Sequence, residues 1–81
     1  MLTLYVETGC GFCAKVLKKV EELGLKVEEK NIADDGVSEE LEIRGGQVQV
    51  PYLVDEVNDV EMYESDAIVE YLDEKYGGKE E

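Results

Sequence analysis

The first half of the chain has the apolar pattern of a β-α-β unit. Residues 2–6 form a short, mostly apolar run that is typical of a buried strand. From residue 12 to residue 23 the apolar positions recur at spacings of three and four, which predicts an amphipathic helix that stops at Gly24. The partly alternating run 25–32 then predicts a second strand, parallel to the first because a helix connects them.

The middle of the chain predicts a turn, a short helix and a third strand. Residues 33–36 form a turn with a candidate helix cap, and the acidic run 37–44 is expected to be a helix that ends at Gly45 and Gly46. Pro51 cannot donate a hydrogen bond to a neighbouring strand, so the third strand is expected to begin there and to continue through residue 54.

A hairpin and a final helix complete the predicted order. Residues 55–59 turn the chain, and this short connection makes residues 60–63 an antiparallel partner strand. Ser65 is expected to be the N-cap of a last helix over residues 65–76 that stops at Gly77, and residues 77–81 are expected to be a frayed tail. The order β-α-β-α-β-β-α predicts an α/β fold, a four-stranded mixed sheet flanked by helices.

Length and composition predict the number of domains, the core and the cellular location. The 81 residues are expected to form a single domain, residues 1–81, and the apolar fraction of 43% is ample for a packed core. The five tyrosines are expected in the core or on half-buried surface. No apolar run approaches membrane-spanning length. The N-terminus lacks a basic segment, a long apolar stretch and a cleavage signature, so we expect no signal peptide and a cytoplasmic location.

The charge is strongly negative. Twenty-one acidic side chains against eight basic ones give a formal net charge of −13. Such a chain is repelled by nucleic acids and by anionic membranes, so neither is expected as a partner. A solubilising surface is the simplest interpretation of the acidity, and adaptation to a salty cytosol is the alternative.

Both cysteines lie in Cys10-Gly11-Phe12-Cys13, between the first strand and the first helix. Two cysteines one helical turn apart can close a small disulfide, and a sulfur at a helix N-terminus faces unpaired backbone N–H groups that favour its anionic form. Cys10 is nearer the helix start and is expected to be the nucleophile, with Cys13 resolving the mixed disulfide. The chain has no histidine and no further cysteine to complete a zinc site. Thiol–disulfide exchange is therefore the expected chemistry.

Three motifs together resemble the glutaredoxin family within the thioredoxin fold. They are Cys10-Gly11-Phe12-Cys13, Gln49-Val50-Pro51 before the third strand and Glu64-Ser65-Asp66 before the last helix. The segment 62–72 is also similar to the N-terminal domain of glutathione transferases. The resemblance covers nearly the whole chain. It implies a thioredoxin-like fold and a glutathione-dependent thiol–disulfide oxidoreductase that reduces protein disulfides or glutathionylated proteins.

The resemblance also implies where glutathione, the co-substrate, is bound. In relatives the proline at the position of Pro51 is cis, and the backbone before it, here Gln49 and Val50, pairs with the cysteine part of glutathione. Taken alone, Pro51 fits a strand-start proline with the usual trans bond. In relatives the positions of Glu64 and Ser65 hold the γ-glutamyl carboxylate at the helix N-terminus.

Two further residues complete the implied glutathione site. Asp66 is placed to meet the amino group of glutathione, and Phe12 lies beside the reactive cysteine. The sequence Glu64-Ser65-Asp66 is also what an ordinary helix start prefers, so its residues alone leave both interpretations open.

Two departures from the family pattern bear on function. Where glutaredoxins commonly have a lysine before the first cysteine, this chain has Glu7-Thr8-Gly9, and a negative charge there opposes both a thiolate and an anionic substrate. Lys15, Lys18 and Arg44 are candidates to compensate. Where many dithiol relatives have a proline, this chain has Gly11.

Gly11 leaves a second function class open. Relatives with glycine or serine there often bridge a [2Fe–2S] cluster between two subunits with two glutathiones, so a cluster carrier or sensor with Cys10 as the ligand is the first alternative. A small redoxin reduced by a thioredoxin-type reductase is the second. We expect a monomer unless a cluster bridges two chains.

Overall fold

Seven secondary-structure elements follow one another in the computed structural model, which describes residues 2–77. They are β1 (Leu2–Val6), α1 (Gly11–Glu22), β2 (Val27–Asn31), α2 (Val37–Gly45), β3 (Tyr52–Asp55), β4 (Val60–Met62) and α3 (Ser65–Tyr76). The strands form one sheet in the order β2-β1-β3-β4, in which β1 is parallel to β2 and antiparallel to β3. The predicted element order and the thioredoxin-like α/β architecture are confirmed.

β1 is one of the two central strands of the sheet, and all five of its residues are buried. Because side chains of a strand alternate between its faces, Leu4 and its neighbours at even positions pack with α1 and α3, whereas Tyr5 packs with Leu41 of α2. Helices α1 and α3 therefore cover one face of the sheet and α2 covers the other.

The main apolar core lies between β1, β3 and the helix pair α1 and α3. Leu4, Val16, Leu53, Ile68 and Leu72 are all fully buried there. Burial of one such side chain stabilises the fold by about 1.5–3 kcal/mol. This core holds the N-terminal ends of α1 and α3 in place, and those two ends carry the predicted site residues.

The strand register brings the site segments to one edge of the sheet. Val6 lies opposite Asn31 of β2, and Tyr5 lies opposite Tyr52 of β3. The carboxyl end of β1, the loop into α1 and the start of β3 are therefore neighbours. The cysteine motif and Pro51 meet at this edge.

Several element ends differ from the predicted ones. β2 is shorter than predicted because the N–H of Leu25 still donates to the carbonyl of Val20, at 3.1 Å, as part of the end of α1. Gly24 adopts a φ of 66° directly after the C-cap Leu23, as expected for a helix stop. β4 ends at Met62, one residue earlier than predicted.

The predicted cap of the last helix was wrong. Glu64 is the N-cap of α3, and Ser65 is its first helical residue. The prediction relied on the preference of serine for caps, but the chain reaches the helix through an unusual backbone conformation at Glu64. Of the predicted C-terminal tail, only Gly77 lies within the described residues.

The sequence analysis predicted β3 over residues 51–54, so both its start and its end were predicted one residue too early. β3 runs from Tyr52 to Asp55, so Asp55 belongs to the strand and not to the turn. Its side chain is fully buried.

Within residues 2–77, no helix has the length and apolar character needed to cross a membrane.

Candidate functional site

Cys10 is the N-cap of α1 and is partly exposed. Gly9, with a φ of 84°, allows the chain to turn sharply from β1 into the helix. The Cys10 sulfur accepts a hydrogen bond from the backbone N–H of Cys13 at 3.2 Å. A sulfur in this position lies at the positive end of the helix dipole and is held by that N–H group.

Cys13 lies one helical turn deeper and is only 1% exposed. Burial and a hydrogen bond to the Cys10 sulfur raise the pKa of the Cys13 thiol to about 11, and the negative charge of Glu7 acts in the same direction. Both cysteines are free thiols in this structure. The pair therefore consists of one accessible sulfur at a helix N-terminus and one buried thiol that stays protonated at neutral pH.

This difference predicts selective alkylation. At about pH 8 we expect iodoacetamide to modify Cys10 and to leave Cys13 intact, because a pKa of about 11 keeps only about one Cys13 in a thousand as thiolate. Mass spectrometry of the digested protein measures both sites. In guanidinium chloride, which removes the burial, both cysteines should react. Equal modification of both in the folded protein would contradict the assignment of Cys13 as the buried thiol.

A cavity of about 190 Å³ opens beside the first turn of α1. Its walls come from α1, from the segment before β3 and from the start of α3. The lining residues are Phe12, Gln49, Val50, Pro51, Glu64, Ser65 and Asp66. The structure thus brings together all the residues that the resemblance implied for glutathione, and we call this space the first cavity.

The segment before β3 forms the inner wall of the first cavity. The Val50–Pro51 peptide bond is cis, as the resemblance implied and in contrast to the trans bond that the residues alone favoured. Pro51 is buried, and Val50 packs against both apolar clusters. The Gln49 side chain accepts a hydrogen bond from Gln47 at 2.7 Å.

The start of α3 forms the opposite wall. Glu64 has a φ of 59°, a conformation that costs a residue other than glycine about 1–3 kcal/mol, and its side chain makes no capping hydrogen bond. Ser65 is 92% buried, since its relative exposure is 8%. The first N–H groups of a helix have no partner within the helix, and here no side-chain cap takes their place. The wall can therefore bind an anion.

One of the three cations considered from the sequence lies beside this cavity. Lys15 of α1 forms an ion pair with Asp66 of α3, so the two helix starts are linked across the opening. Arg44 instead pairs with Glu56 and Glu61 on the side of α2. Among residues 2–77, Lys18 takes part in no ion pair.

A second cavity, of about 170 Å³, was not anticipated from the sequence. Cys10 and Cys13 line it together with Glu7, Glu29 and Asn31. Glu29 and Asn31 come from the end of β2, which the parallel pairing with β1 places next to the cysteine loop. The predicted parallel pairing of the two strands could have indicated this cavity, because a strand parallel to β1 ends at the same edge of the sheet.

The described residues contain no candidate site for a resident metal ion. In the chain from residue 2 to residue 77, no group of three or more cysteine, histidine, aspartate or glutamate side chains is arranged to hold one. A shared [2Fe–2S] cluster would take only the Cys10 sulfur from each chain, so it needs a second chain and outside thiols.

Comparison with known proteins identifies the family. A family model described as glutathione S-transferase, N-terminal domain, matches residues 4–80. A search of curated proteins found no match. Among solved structures, an epsilon-class glutathione S-transferase from the housefly Musca domestica is 29% identical, with a TM-score of 0.80 over 98% of this chain and 37% of its own length.

Two further solved structures agree. A glutathione S-transferase from the Antarctic clam Laternula elliptica is 34% identical, with a TM-score of 0.80 over 95% of this chain and 36% of its own. Glutathione Transferase E6 from Drosophila melanogaster is 29% identical, with a TM-score of 0.79 over 98% of this chain and 36% of its own length. This chain thus spans little more than a third of their length, and membership of the glutaredoxin family is not confirmed. The chain belongs to the family of glutathione S-transferase N-terminal domains.

Proposed function

We propose that this chain is a glutathione-dependent thiol–disulfide oxidoreductase built on a glutathione S-transferase N-terminal fold. One observation carries the proposal: the Cys10 sulfur lies at the N-terminus of α1, and the buried Cys13 lies one turn behind it. An accessible nucleophilic sulfur and a nearby second thiol are the two parts that this disulfide exchange requires.

The first cavity is the proposed glutathione site. The uncapped start of α3, at Glu64 and Ser65, suits the γ-glutamyl carboxylate, because unpaired N–H groups bind anions. The backbone at Val50, beside the cis bond, suits the cysteine part of glutathione. The similar solved structures are described as glutathione transferases, which supports the same ligand here.

The reaction with a glutathionylated protein has two steps. The Cys10 thiolate attacks a glutathionylated protein at the glutathione sulfur, the old S–S bond breaks, and the protein thiolate leaves and takes up a proton. A second glutathione thiolate then attacks the glutathione sulfur bound to Cys10, which forms oxidised glutathione and frees Cys10. With a protein disulfide, the Cys10 thiolate first attacks one protein sulfur, which forms a mixed disulfide and releases the other protein sulfur as a thiolate that takes up a proton. Cys13 then loses its proton and attacks the Cys10 sulfur, so the mixed disulfide breaks, the reduced protein leaves, and two glutathiones later reduce the Cys10–Cys13 disulfide.

A second candidate follows from the family match. A glutathione S-transferase N-terminal fold with a glutathione site suits transfer of glutathione to an electrophile. In that reaction the glutathione sulfur is the nucleophile and neither cysteine has to change its oxidation state. The two candidates therefore differ in whether Cys10 becomes covalently modified during turnover.

The remaining sequence-based alternatives are outcomes of the same experiments. A purified protein with visible absorbance and two chains per molecule would support the [2Fe–2S] carrier. Turnover with a thioredoxin-type reductase, and not with glutathione, would support the small redoxin. The monomeric state, the cytoplasmic location and the extent of the domain remain predictions.

A serine substitution tests the glutathione site directly. We expect Ser65→Ala to raise the Kd for S-methylglutathione about three- to tenfold, because a buried hydroxyl beside the bound carboxylate is lost. Calorimetric titration measures the Kd, and the methylated sulfur separates binding from exchange.

The matched control for this test is Ser38→Ala. Ser38 lies in the first turn of α2, on the opposite face of the sheet and away from the first cavity. This variant should bind like the wild type, and the thermal unfolding temperatures of both variants should be recorded. Equal Kd values for wild type and Ser65→Ala would exclude Ser65 from the glutathione site.

A further inference from the structure

The second cavity differs from the proposed glutathione site in its walls. It is lined by both cysteines, whereas the first cavity is lined by neither, and the two cavities share no lining residue. A group bound in the second cavity can therefore contact the Cys10 sulfur. A disulfide substrate has two halves, and this cavity is available to the half that is not glutathione.

The charge of the second cavity is negative. Glu7 and Glu29 line it, and no lysine or arginine does. None of the ion pairs among residues 2–77 involves either carboxylate. Neither carboxylate thus has a basic partner among the described residues, in contrast to Asp66, which pairs with Lys15.

The fold fixes the position of these groups. Glu29 lies opposite Leu4 and Asn31 lies opposite Val6, so both face the side of the sheet that α1 covers. The Asn31 amide donates to the Thr8 hydroxyl at 2.8 Å and its oxygen accepts from the N–H of Ala33 at 2.9 Å. Asn31 is thus already engaged, and the carboxylates remain to contact a substrate.

We infer that the second cavity holds the non-glutathione half of the disulfide substrate and selects for a positively charged one, such as an amine-bearing disulfide or a basic peptide. The inference rests on the proposed function and adds the substrate class. Free glutathione converts the amine-bearing disulfide into a mixed disulfide with glutathione, and the Cys10 thiolate attacks the glutathione sulfur of this mixed disulfide while the ammonium group of the other half lies near Glu7 and Glu29. The new S–S bond forms as the old one breaks, and the amine-bearing thiolate leaves the second cavity and takes a proton from water.

The test compares three small disulfides of similar size and different charge. Cystamine is cationic, hydroxyethyl disulfide is neutral and dithiodiglycolate is anionic. With glutathione as the reductant, we expect kcat/KM to fall in that order, with a cation-to-neutral ratio of about three- to tenfold, because each carboxylate near water contributes about a two- to threefold attraction. Raising the ionic strength should reduce the ratio.

Matched variants locate the source of this preference. Glu29→Gln and Glu7→Gln should each lower the cation-to-neutral ratio about two- to threefold. Glu42→Gln makes the same change of charge on exposed surface of α2, outside both cavities, and should keep the wild-type ratio. Preservation of the ratio in both cavity variants would overturn the inference.

The failure of the inference can be told apart from the failure of the proposed function. Turnover of hydroxyethyl disulfide without any charge preference would overturn the inference alone. No turnover of any disulfide, in a protein whose Cys10 is still alkylated by iodoacetamide, would overturn the proposed function and the inference with it. As a readout that needs no glutathione, Cys10 should also react faster with bromoethylamine than with iodoacetate, each rate taken relative to a small free thiol.

Discussion

Cys10→Ser is expected to lower the kcat/KM for reduction of a glutathionylated protein by about a thousandfold or more, because a serine hydroxyl does not ionise at neutral pH and is a poor nucleophile toward sulfur. Cys13→Ser should keep part of the activity, since glutathione itself can release the mixed disulfide from Cys10. The assay follows NADPH consumption by added glutathione reductase.

The same two variants provide the internal control. Both replace a sulfur by an oxygen in one helical turn, and Cys13 is the more buried of the two. If the effect arose from damage to the fold, Cys13→Ser would be the worse variant. Equal loss of activity in both would remove the division of roles, and full activity of Cys10→Ser would exclude Cys10 as the nucleophile.

Asp55→Ala is expected to lower the free energy of unfolding by about 3–5 kcal/mol, which is a large share of the stability of a small domain. The Asp55 carboxylate is fully buried and accepts hydrogen bonds from the hydroxyls of Tyr71 and Tyr76, each at 2.6 Å, and from the Asn58 amide at 2.9 Å. Removal of the carboxylate deletes these three hydrogen bonds from the buried end of β3, and urea titration measures the loss of stability.

The pH dependence follows from the same contacts. Burial alone would raise the pKa of Asp55, but the hydrogen bonds from Tyr71, Tyr76 and Asn58 outweigh it and hold the pKa well below its ordinary value. A carboxyl with a lowered pKa in the folded state stabilises the fold above its unfolded pKa of about 4, and this contribution is lost as the pH falls. Burial and the contact with Asp55 raise the pKa of Tyr71, so its hydroxyl keeps donating in alkaline solution.

Asp35→Ala is the matched control for Asp55→Ala. Asp35 is exposed in the turn before α2, and the substitution makes the same change of charge. It should change the free energy of unfolding by less than about 0.5 kcal/mol. Equal effects of the two substitutions, or an unchanged acid-unfolding midpoint in Asp55→Ala, would contradict the structural role of the buried carboxylate.

The sequence predicted the elements of this fold well where the apolar pattern was strong. The period of the apolar positions in β1 and α1 is a local property, and both elements were found within one residue at their ends. The cap of α3 was misplaced because serine and aspartate suit a helix start in general, while the actual cap depends on the backbone conformation of Glu64.

The buried carboxylate of Asp55 could not be predicted from the local sequence pattern. Asp55 looks like a turn residue, and its partners Tyr71 and Tyr76 lie 16 and 21 positions further along the chain. Only the packing of α3 against the end of β3 brings them together. The interpretation of all the tyrosines as core or half-buried surface agrees with their burial but gave no sign of this cluster.

The candidate site was predicted in part. The residues of the first cavity came from three short motifs, and the fold brings them together. The same motifs did not separate the glutaredoxin and glutathione transferase families, because both share this edge of the thioredoxin fold; the match over residues 4–80 did. Glu29 was missed because it carries no motif, and only the register of β2 against β1 places it near Cys10.

The central claim is that glutathione turnover passes through Cys10. The most direct test gives the wild-type protein glutathione with either hydroxyethyl disulfide or the electrophile chlorodinitrobenzene, and records both rates together with the glutathionylation of Cys10 by mass spectrometry. We expect rapid disulfide reduction, slow conjugation and a glutathione adduct on Cys10 during turnover. Rapid conjugation with no disulfide reduction and an unmodified Cys10 would contradict the claim and establish a transferase instead.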